Sequence, residues 1–241
     1  MGSDITYTGS LPPMDWCLMR VVEVSLAKKK PTWQSSDKYS SDKAVDGNFS
    51  LVGDSCTSEA SPTDVTWMVD LEDIKSIAYT CIWITYRTDN APFANSFFAS
   101  RLLGFSVYVS NTTNKEDGHL CFHDSGNSIS TISNFKSITC EVQGRFVIYY
   151  NTREGNDNKR PGYSTTAHLD LCEVLVIGCP LGFFGVKCSI PCPPSCRHCN
   201  YNTGKCLGAC APGYHGEACA KYSRSKYNMR RILKTTCQIL E

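Results

Sequence analysis

Between residues 21 and 178 the chain alternates short apolar runs with breaks rich in Gly, Asn, Asp and Ser. The runs include Thr66-Trp-Met-Val-Asp-Leu, Tyr79-Thr-Cys-Ile-Trp-Ile-Thr-Tyr, Gly104-Phe-Ser-Val-Tyr-Val, Arg145-Phe-Val-Ile-Tyr-Tyr and Leu171-Cys-Glu-Val-Leu-Val-Ile. All are of strand length and dominated by β-branched and aromatic residues, which pack well on a pleated surface. None shows the spacing of an amphipathic helix. Many short strands without helices predict an all-β sandwich, barrel or jelly roll.

The flanks differ. Residues 1–20 show no periodicity and read as an extension. Residues 179–220 are rich in glycine and cysteine and poor in aliphatics. Such a segment cannot build a core and must be stapled. Residues 221–241 form a tail with six basic groups against Glu241. Met229, Ile232, Leu233, Thr236 and Leu240 fall near helical spacing there, but a lone helix of this length is marginal, so the tail reads as frayed. The expected organisation is an extension (1–20), a β domain (21–178), a cysteine-rich module (179–220) and a basic tail (221–241).

Charge and cysteine content narrow the class. The formal net charge of +1 gives no overall field to draw in nucleic acid or a membrane. Fifteen cysteines, eight of them between Cys179 and Cys219, are too many for a chain kept reduced in the cytosol. No transmembrane run of about 18 apolar residues exists. The segment Cys17 to Val24 is broken by Arg20 and Glu23, so it lacks a clean signal-peptide core. Secretion is inferred from the cysteines, with the chain read as an incomplete product or as carrying an atypical leader. The sequons Asn48-Phe-Ser and Asn111-Thr-Thr permit glycosylation without requiring it.

Within the cysteine-rich module, Cys179-x8-Cys188 and Cys210-x8-Cys219 enclose Pro-Leu-Gly-Phe-Phe-Gly and Pro-Gly-Tyr-His-Gly, an internal repeat. Each resembles the terminal hairpin of an epidermal-growth-factor-like repeat. That resemblance implies the pairs Cys192–Cys199, Cys196–Cys206 and Cys210–Cys219, with Cys179–Cys188 closing a truncated preceding repeat. Zinc is the rival, because Cys196-x2-Cys199 and Cys206-x3-Cys210 have ligand spacing. The duplicated glycine hairpins and the lack of a following basic helix favour disulfides. His198 and His215 read as solvent-facing.

The β domain carries an ordered set of motifs. Ser25-Leu-Ala-Lys-Lys-Lys-Pro-Thr-Trp-Gln-Ser-Ser, Lys43-Ala-Val-Asp-Gly-Asn and Gly53-Asp-Ser-Cys-Thr come first. Trp67-Met-Val-Asp-Leu, Arg87-Thr-Asp, Gly144-Arg-Phe-Val and Leu171-Cys-Glu-Val follow. In this order the set resembles the F-type lectin (fucolectin) domain, a discoidin-like jelly-roll β-sandwich. With the hairpins that follow, the chain also resembles invertebrate multi-repeat or scavenger-receptor-like proteins. The resemblance implies a structural Ca2+ held by the carbonyls of Lys43, Asn48 and Cys172, a Ser55 oxygen and the Asp46 and Glu173 carboxylates. Calcium takes six to eight such oxygens. The bland alternative is an Asp-Gly turn beside an unrelated disulfide. The resemblance further implies the disulfides Cys56–Cys172 and Cys121–Cys140. Cys17, Cys81 and Cys237 remain: Cys81 reads as buried in a strand, and Cys237 as free or as an intermolecular bridge to an oligomer.

Fucolectins hold fucose with a histidine and two arginines. A guanidinium fork can bridge two hydroxyls. Arg87-Thr-Asp89 fits the first arginine, with Asp89 able to brace it. Eleven residues, Asn90 to Ser100, then precede Arg101, where the family pattern has four. The insertion is rich in Phe and replaces a pair of adjacent cysteines. The family histidine falls on Ser58, which is too short to reach the sugar as imidazole does. One contact is thus retained, one displaced and one lost, and Arg87 and Arg101 could instead be surface arginines paired with Asp89 or Glu59. Phe93, Phe97 and Phe98 could form an apolar contact surface or a lid.

Catalysis is not expected. Gly53-Asp-Ser55 has Cys56 where a serine-protease motif has glycine. His168 and Asp170 would share one face of a strand by alternation and read as a surface pair. No phosphate-cradling loop or zinc-protease motif appears. The reading is therefore a calcium-stabilised extracellular carbohydrate-binding protein with a degenerate fucose site, taking glycans or glycoproteins as partners. The alternative is a non-lectin adhesion or engulfment-receptor-like fragment that contacts another extracellular protein or a phospholipid surface.

Overall fold

The computed structural model describes residues 25–36, 40–51, 53–86, 97–133, 135–155, 160–185, 188–196, 199–200, 203–207, 210–216 and 219–223; for 78–86 only the backbone is described. Fourteen of its elements position the features of interest. These are β1 (Thr32–Gln34), β2 (Glu59–Ser61), β3 (Asp64–Tyr86), α1 (Phe97–Leu102), β4 (Ser106–Ser110), β5 (His119–His123), β6 (Phe135–Ile138), β7 (Gln143–Thr152), β8 (Ala167–Leu169) and β9 (Leu171–Pro180). Four two-residue strands follow: β10 (Phe183–Phe184), β11 (Ile190–Pro191), β12 (Tyr214–His215) and β13 (Lys221–Tyr222).

Strand β3 organises the sandwich. At 23 residues it would run about 75 Å if straight, roughly twice the diameter of a domain this size. It bends between Asp70 and Lys75, where the register to β7 shifts and Glu72 adopts a φ of 68°. Asp70 Oδ1 accepts the Glu72 amide at 2.7 Å and so fixes the bend. The first half pairs with β1 and β7, giving a front layer β1-β3-β7-β4-β5; the second half pairs with β6 and β9 as the back layer. All pairings are antiparallel, and the fold is an all-β jelly-roll sandwich.

Alternation selects the core. Val65, Trp67, Val69 and Leu71 of β3 face inward and are fully buried. The register sets Trp67 opposite Tyr149 and Val69 opposite Val147, and these in turn face Val107 and Val109 of β4. Phe105 stacks on Tyr149 with centroids 5.4 Å apart. Strand β9 is buried from Leu171 to Cys179 on both faces. Its outer side is covered by the chain at Ser25 and Leu26, which bonds both polar groups of Val176, and by the 3-10 turn Ser41–Val45. A strand covered on both sides needs the continuous apolar run this one has. Gly178 lies here because a Cβ would meet the Ser76 carbonyl oxygen at 2.3 Å.

The expectation of no helix needs correction: α1, six residues long, closes the loop before β4. The structure links Cys56–Cys172, Cys121–Cys140, Cys179–Cys188, Cys192–Cys199, Cys196–Cys206 and Cys210–Cys219. The last three take up the four sulfurs that a zinc site would need. The two glycine hairpins repeat one backbone. Gly182 and Gly185 in one, and Gly213 and Gly216 in the other, have positive φ; Cys188 and Cys219 donate back to Gly185 and Gly216 in the same way. His215 is exposed. His198, Cys17 and Cys237 lie outside the described residues, and Cys81 is placed within β3 by its backbone alone. Among the described residues no helix is long and apolar enough to cross a membrane.

Candidate functional site

At one end of the sandwich β2 and β8 pair, setting Glu59 opposite Leu169 and Ala60 opposite His168. One step beyond this register, Ser58 Oγ donates to Asp170 Oδ1 at 2.8 Å, and both residues are buried. Helix α1 delivers Arg101 to the same point. Its Nε and Nη2 donate to His168 Nδ1 at 2.9 and 2.8 Å, and its Nη1 lies 3.4 Å from Asp170 Oδ2. The guanidinium also sits 5.1 Å from the Phe97 ring and 5.2 Å from the Phe98 ring. Phe97 is 66% exposed, so the cluster opens to solvent along this aromatic edge.

Two donors on Nδ1 require that nitrogen to be unprotonated. The His168 proton then sits on Nε2, 2.7 Å from Thr166 Oγ1. Burial first, then the Arg101 and Arg153 charges, lower the His168 pKa to about 4. The imidazole is therefore neutral and acts as an acceptor that orients the arginine fork. Tyr149 and Asn151 close the cluster from below: the Tyr149 hydroxyl donates to the His168 carbonyl at 3.3 Å, and Asn151 Nδ2 to the same carbonyl at 3.0 Å.

Arg153 is a further support that no motif singles out. It is almost fully buried and donates to the carbonyls of Leu103, Thr152 and Ser164 and to Asn151 Oδ1. A guanidinium with five donors suits a task of joining loop carbonyls. Burial holds its pKa below the usual arginine value.

Two readings are corrected by this geometry. His168 and Asp170 are not a surface pair: 7% and 0% exposed, they are the inner wall of the cluster. Arg101 is not paired with Glu59, whose Oε2 accepts from Ser35 Oγ and the Ser36 amide. The Ser58 position lacks imidazole, as the sequence dictates, but His168 brings one to the arginine from another strand. The alternation of His168 and Asp170 was the legible signal; their burial was not. Arg87, Asp89 and Phe93 lie outside the described residues. The cluster also lacks a nucleophile geometry: Ser58 donates to a carboxylate, and both ring nitrogens of His168 are engaged elsewhere.

A second cluster lies in the loop after the 3-10 turn Ser41–Val45. Asp46 Oδ1 accepts the Asn48 amide at 2.7 Å, and Glu173 Oε2 accepts the Gly47 amide at 3.0 Å. Asn48 Nδ2 reaches Ser55 Oγ at 3.4 Å, Lys43 Nζ donates to the Asp54 carbonyl, and Cys56–Cys172 ties the loop to β9. The six residues expected to hold calcium are thus neighbours. Burial, with the nearby Asp46 charge adding to it, pushes the Glu173 carboxyl up to about 8. Two adjacent carboxylates, one of them buried, suit a dication. Among the described residues no three His, Cys, Asp or Glu side chains converge, so backbone carbonyls and Ser55 would have to complete the shell.

No family model and no curated protein matches the chain. Several solved structures do. A fucose binding module of Streptococcus pneumoniae is 22% identical, with a TM-score of 0.48 over 64% of this chain and 95% of its own. The lectin domain of lectinolysin, complexed with Lewis B antigen, is 21% identical, with a TM-score of 0.47 over 64% of this chain and 96% of its own. A fucolectin from striped bass (Morone saxatilis) serum is 27% identical, with a TM-score of 0.46; the match covers 64% of this chain and 48% of that one.

Proposed function

We propose that the chain is an extracellular, F-type-lectin-like carbohydrate-binding protein whose glycan contact is the Arg101 rim. The observation that carries this reading is the bracing of Arg101 by neutral His168 and by Asp170 beside an exposed Phe97. A pre-set guanidinium fork next to an aromatic edge offers a sugar both hydroxyl donors and a surface for its C–H face. Arg87 and Asp89 are assigned to sugar binding by their motif in the sequence alone; Ser58 acts through Asp170 rather than by touching the sugar. Fucose is the less favoured ligand, because the family's histidine position is Ser58.

Calcium has a structural role in this reading. Asp46 and Glu173 would supply its carboxylates, and Lys43, Asn48, Ser55 and Cys172 its remaining oxygens. The ion would hold Glu173 ionised and pin the loop to β9. The cysteine-rich module, read as epidermal-growth-factor-like, would serve as a spacer in an oxidising, extracellular setting.

A glycan array run with and without calcium tests the proposal. Binding that is lost in Arg101→Ala and Arg87→Ala, in protein that remains folded by circular dichroism, supports it. Binding to a protein or phospholipid surface with no glycan bound would overturn it in favour of an adhesion role for Phe97. For the metal, chelation should lower the melting temperature of the wild type and leave that of Asp46→Ala unchanged. A wild-type melting temperature indifferent to chelator removes calcium from the account.

A further inference from the structure

The outward-facing side chains of β3 and β7 floor a groove of about 720 Å³ on the front layer, away from the Arg101 rim. Trp33, Met68, Phe146, Ile148 and Tyr150 line it, and Trp33 is 50% exposed. One wall is the turn after β4, through Thr113, Asn114 and Lys115, with Lys115 Nζ 4.4 Å from the centroid of the Tyr150 ring. Thr113, the last residue of the sequon Asn111-Thr112-Thr113, belongs to that wall, and Asn111 lies just outside the groove. Asn111 lies two residues from Thr113, so their Cα atoms are at most about 7.6 Å apart.

The two sequons differ in what their amides do. Asn48 is engaged at both ends: Nδ2 donates to Ser55 Oγ, and Oδ1 accepts the Ser50 amide at 3.1 Å. Asn111 is exposed, and among the described residues no hydrogen bond engages its side chain or the Thr113 hydroxyl. The turn that presents it is fixed by its neighbours. Ser110 Oγ accepts the Thr112 amide and donates to the Asn114 carbonyl, and Thr112 Oγ1 donates to Asp117.

We propose that Asn111, and not Asn48, carries an N-linked glycan whose first sugars lie in this groove. The donor is a polyprenyl-diphosphate-linked oligosaccharide of the secretory pathway. Asn111 Nδ2 bonds to the anomeric carbon and loses a proton, and the anomeric C–O bond to the diphosphate breaks. Pyranose C–H faces stack on the exposed Trp33 indole and the half-buried Tyr150 ring, and Asp64, Thr66 and Asn114 at the edges offer partners to hydroxyls. Trp33 is left half-exposed at the edge of the groove, and a glycan on Asn111 would be tethered beside it. This inference is independent of the Arg101 rim.

The test uses the full chain secreted from a eukaryotic cell. Peptide mass spectrometry after enzymatic release, which converts a glycosylated Asn to Asp, should find Asn111 converted and Asn48 intact. Thr113→Ala, which keeps Asn111 but removes the sequon hydroxyl, should lose the modification. Hydroxyl-radical footprinting of the folded protein should label Trp33 and Tyr150 severalfold more slowly before release than after it. An unmodified Asn111, or a modified Asn48, overturns the assignment; labelling of Trp33 indifferent to release overturns the seating of the glycan.

Discussion

Acidification should destabilise this protein through His168. The ring is almost fully buried, and its Nδ1 accepts from Arg101 at 2.9 and 2.8 Å, which a protonated nitrogen cannot do. Burial and the flanking Arg101 and Arg153 charges lower its pKa from 6.5 to about 4. The unfolded chain therefore takes up a proton near pH 6.5 that the folded protein refuses until about pH 4. Stability present above pH 6.5 is lost as the pH falls towards 4. At about 1.4 kcal/mol per pH unit between the two values, the full loss approaches about 3 kcal/mol, with about 2 kcal/mol falling between pH 7 and pH 5. Urea denaturation at those two pH values, in wild type and His168→Asn, measures it. The Asn keeps an acceptor for Arg101 but does not titrate. Subtracting the variant removes the other groups, including Glu173, whose raised pKa acts in the opposite sense. A wild type that loses no more stability than His168→Asn on acidification refutes the reasoning.

Replacing Cys56 and Cys172 together by Ser opens a loop with a sequence separation of 116. The expected cost is about 5 kcal/mol in the chain-entropy account, read by denaturant titration of the purified variant. Gly178→Ala forces a Cβ against the Ser76 carbonyl, which is backbone and cannot swing away. A loss of about 3 kcal/mol is expected, and an unchanged melting temperature would contradict the close approach of β9 to β3. Tyr149→Phe removes the hydroxyl between the His168 carbonyl and Asn151 and should cost about 1 kcal/mol, with no change in the pH dependence assigned to His168.

The strands were legible wherever alternation or a continuous apolar run extended over five or more residues, as in Leu171–Ile177. The unity of β3 was not. Glu72-Asp73-Ile74-Lys75 reads as a polar break between two strands, yet the backbone runs through it with only a bend. Helix α1 spans too few residues for a helical period to emerge, and its Phe97 and Phe98 read equally well as a lid. The placement of Asp170 depended on Ser58 and Arg101, which are 112 and 69 positions away and are brought to it by the β2–β8 pair and by helix α1. Local pattern could put His168 and Asp170 on one face. It could not say that a second strand and a helix would cover that face. The residues proposed for calcium were visible only as an ordered set of motifs, because carbonyl ligands leave no signature in side-chain identity.

The bend in β3 also has a consequence for synthesis. Its partners β6, β7 and β9 all come later in the chain, and β9 last. At typical elongation rates the back half of β3 leaves the ribosome roughly 5–20 s before β9 emerges to pair with it. During that interval a long apolar edge is open to other chains. Once β9 docks, one strand belongs to both layers, so neither can detach without breaking the other. The same element that waits longest for its partner during synthesis ties the two layers of the finished domain together.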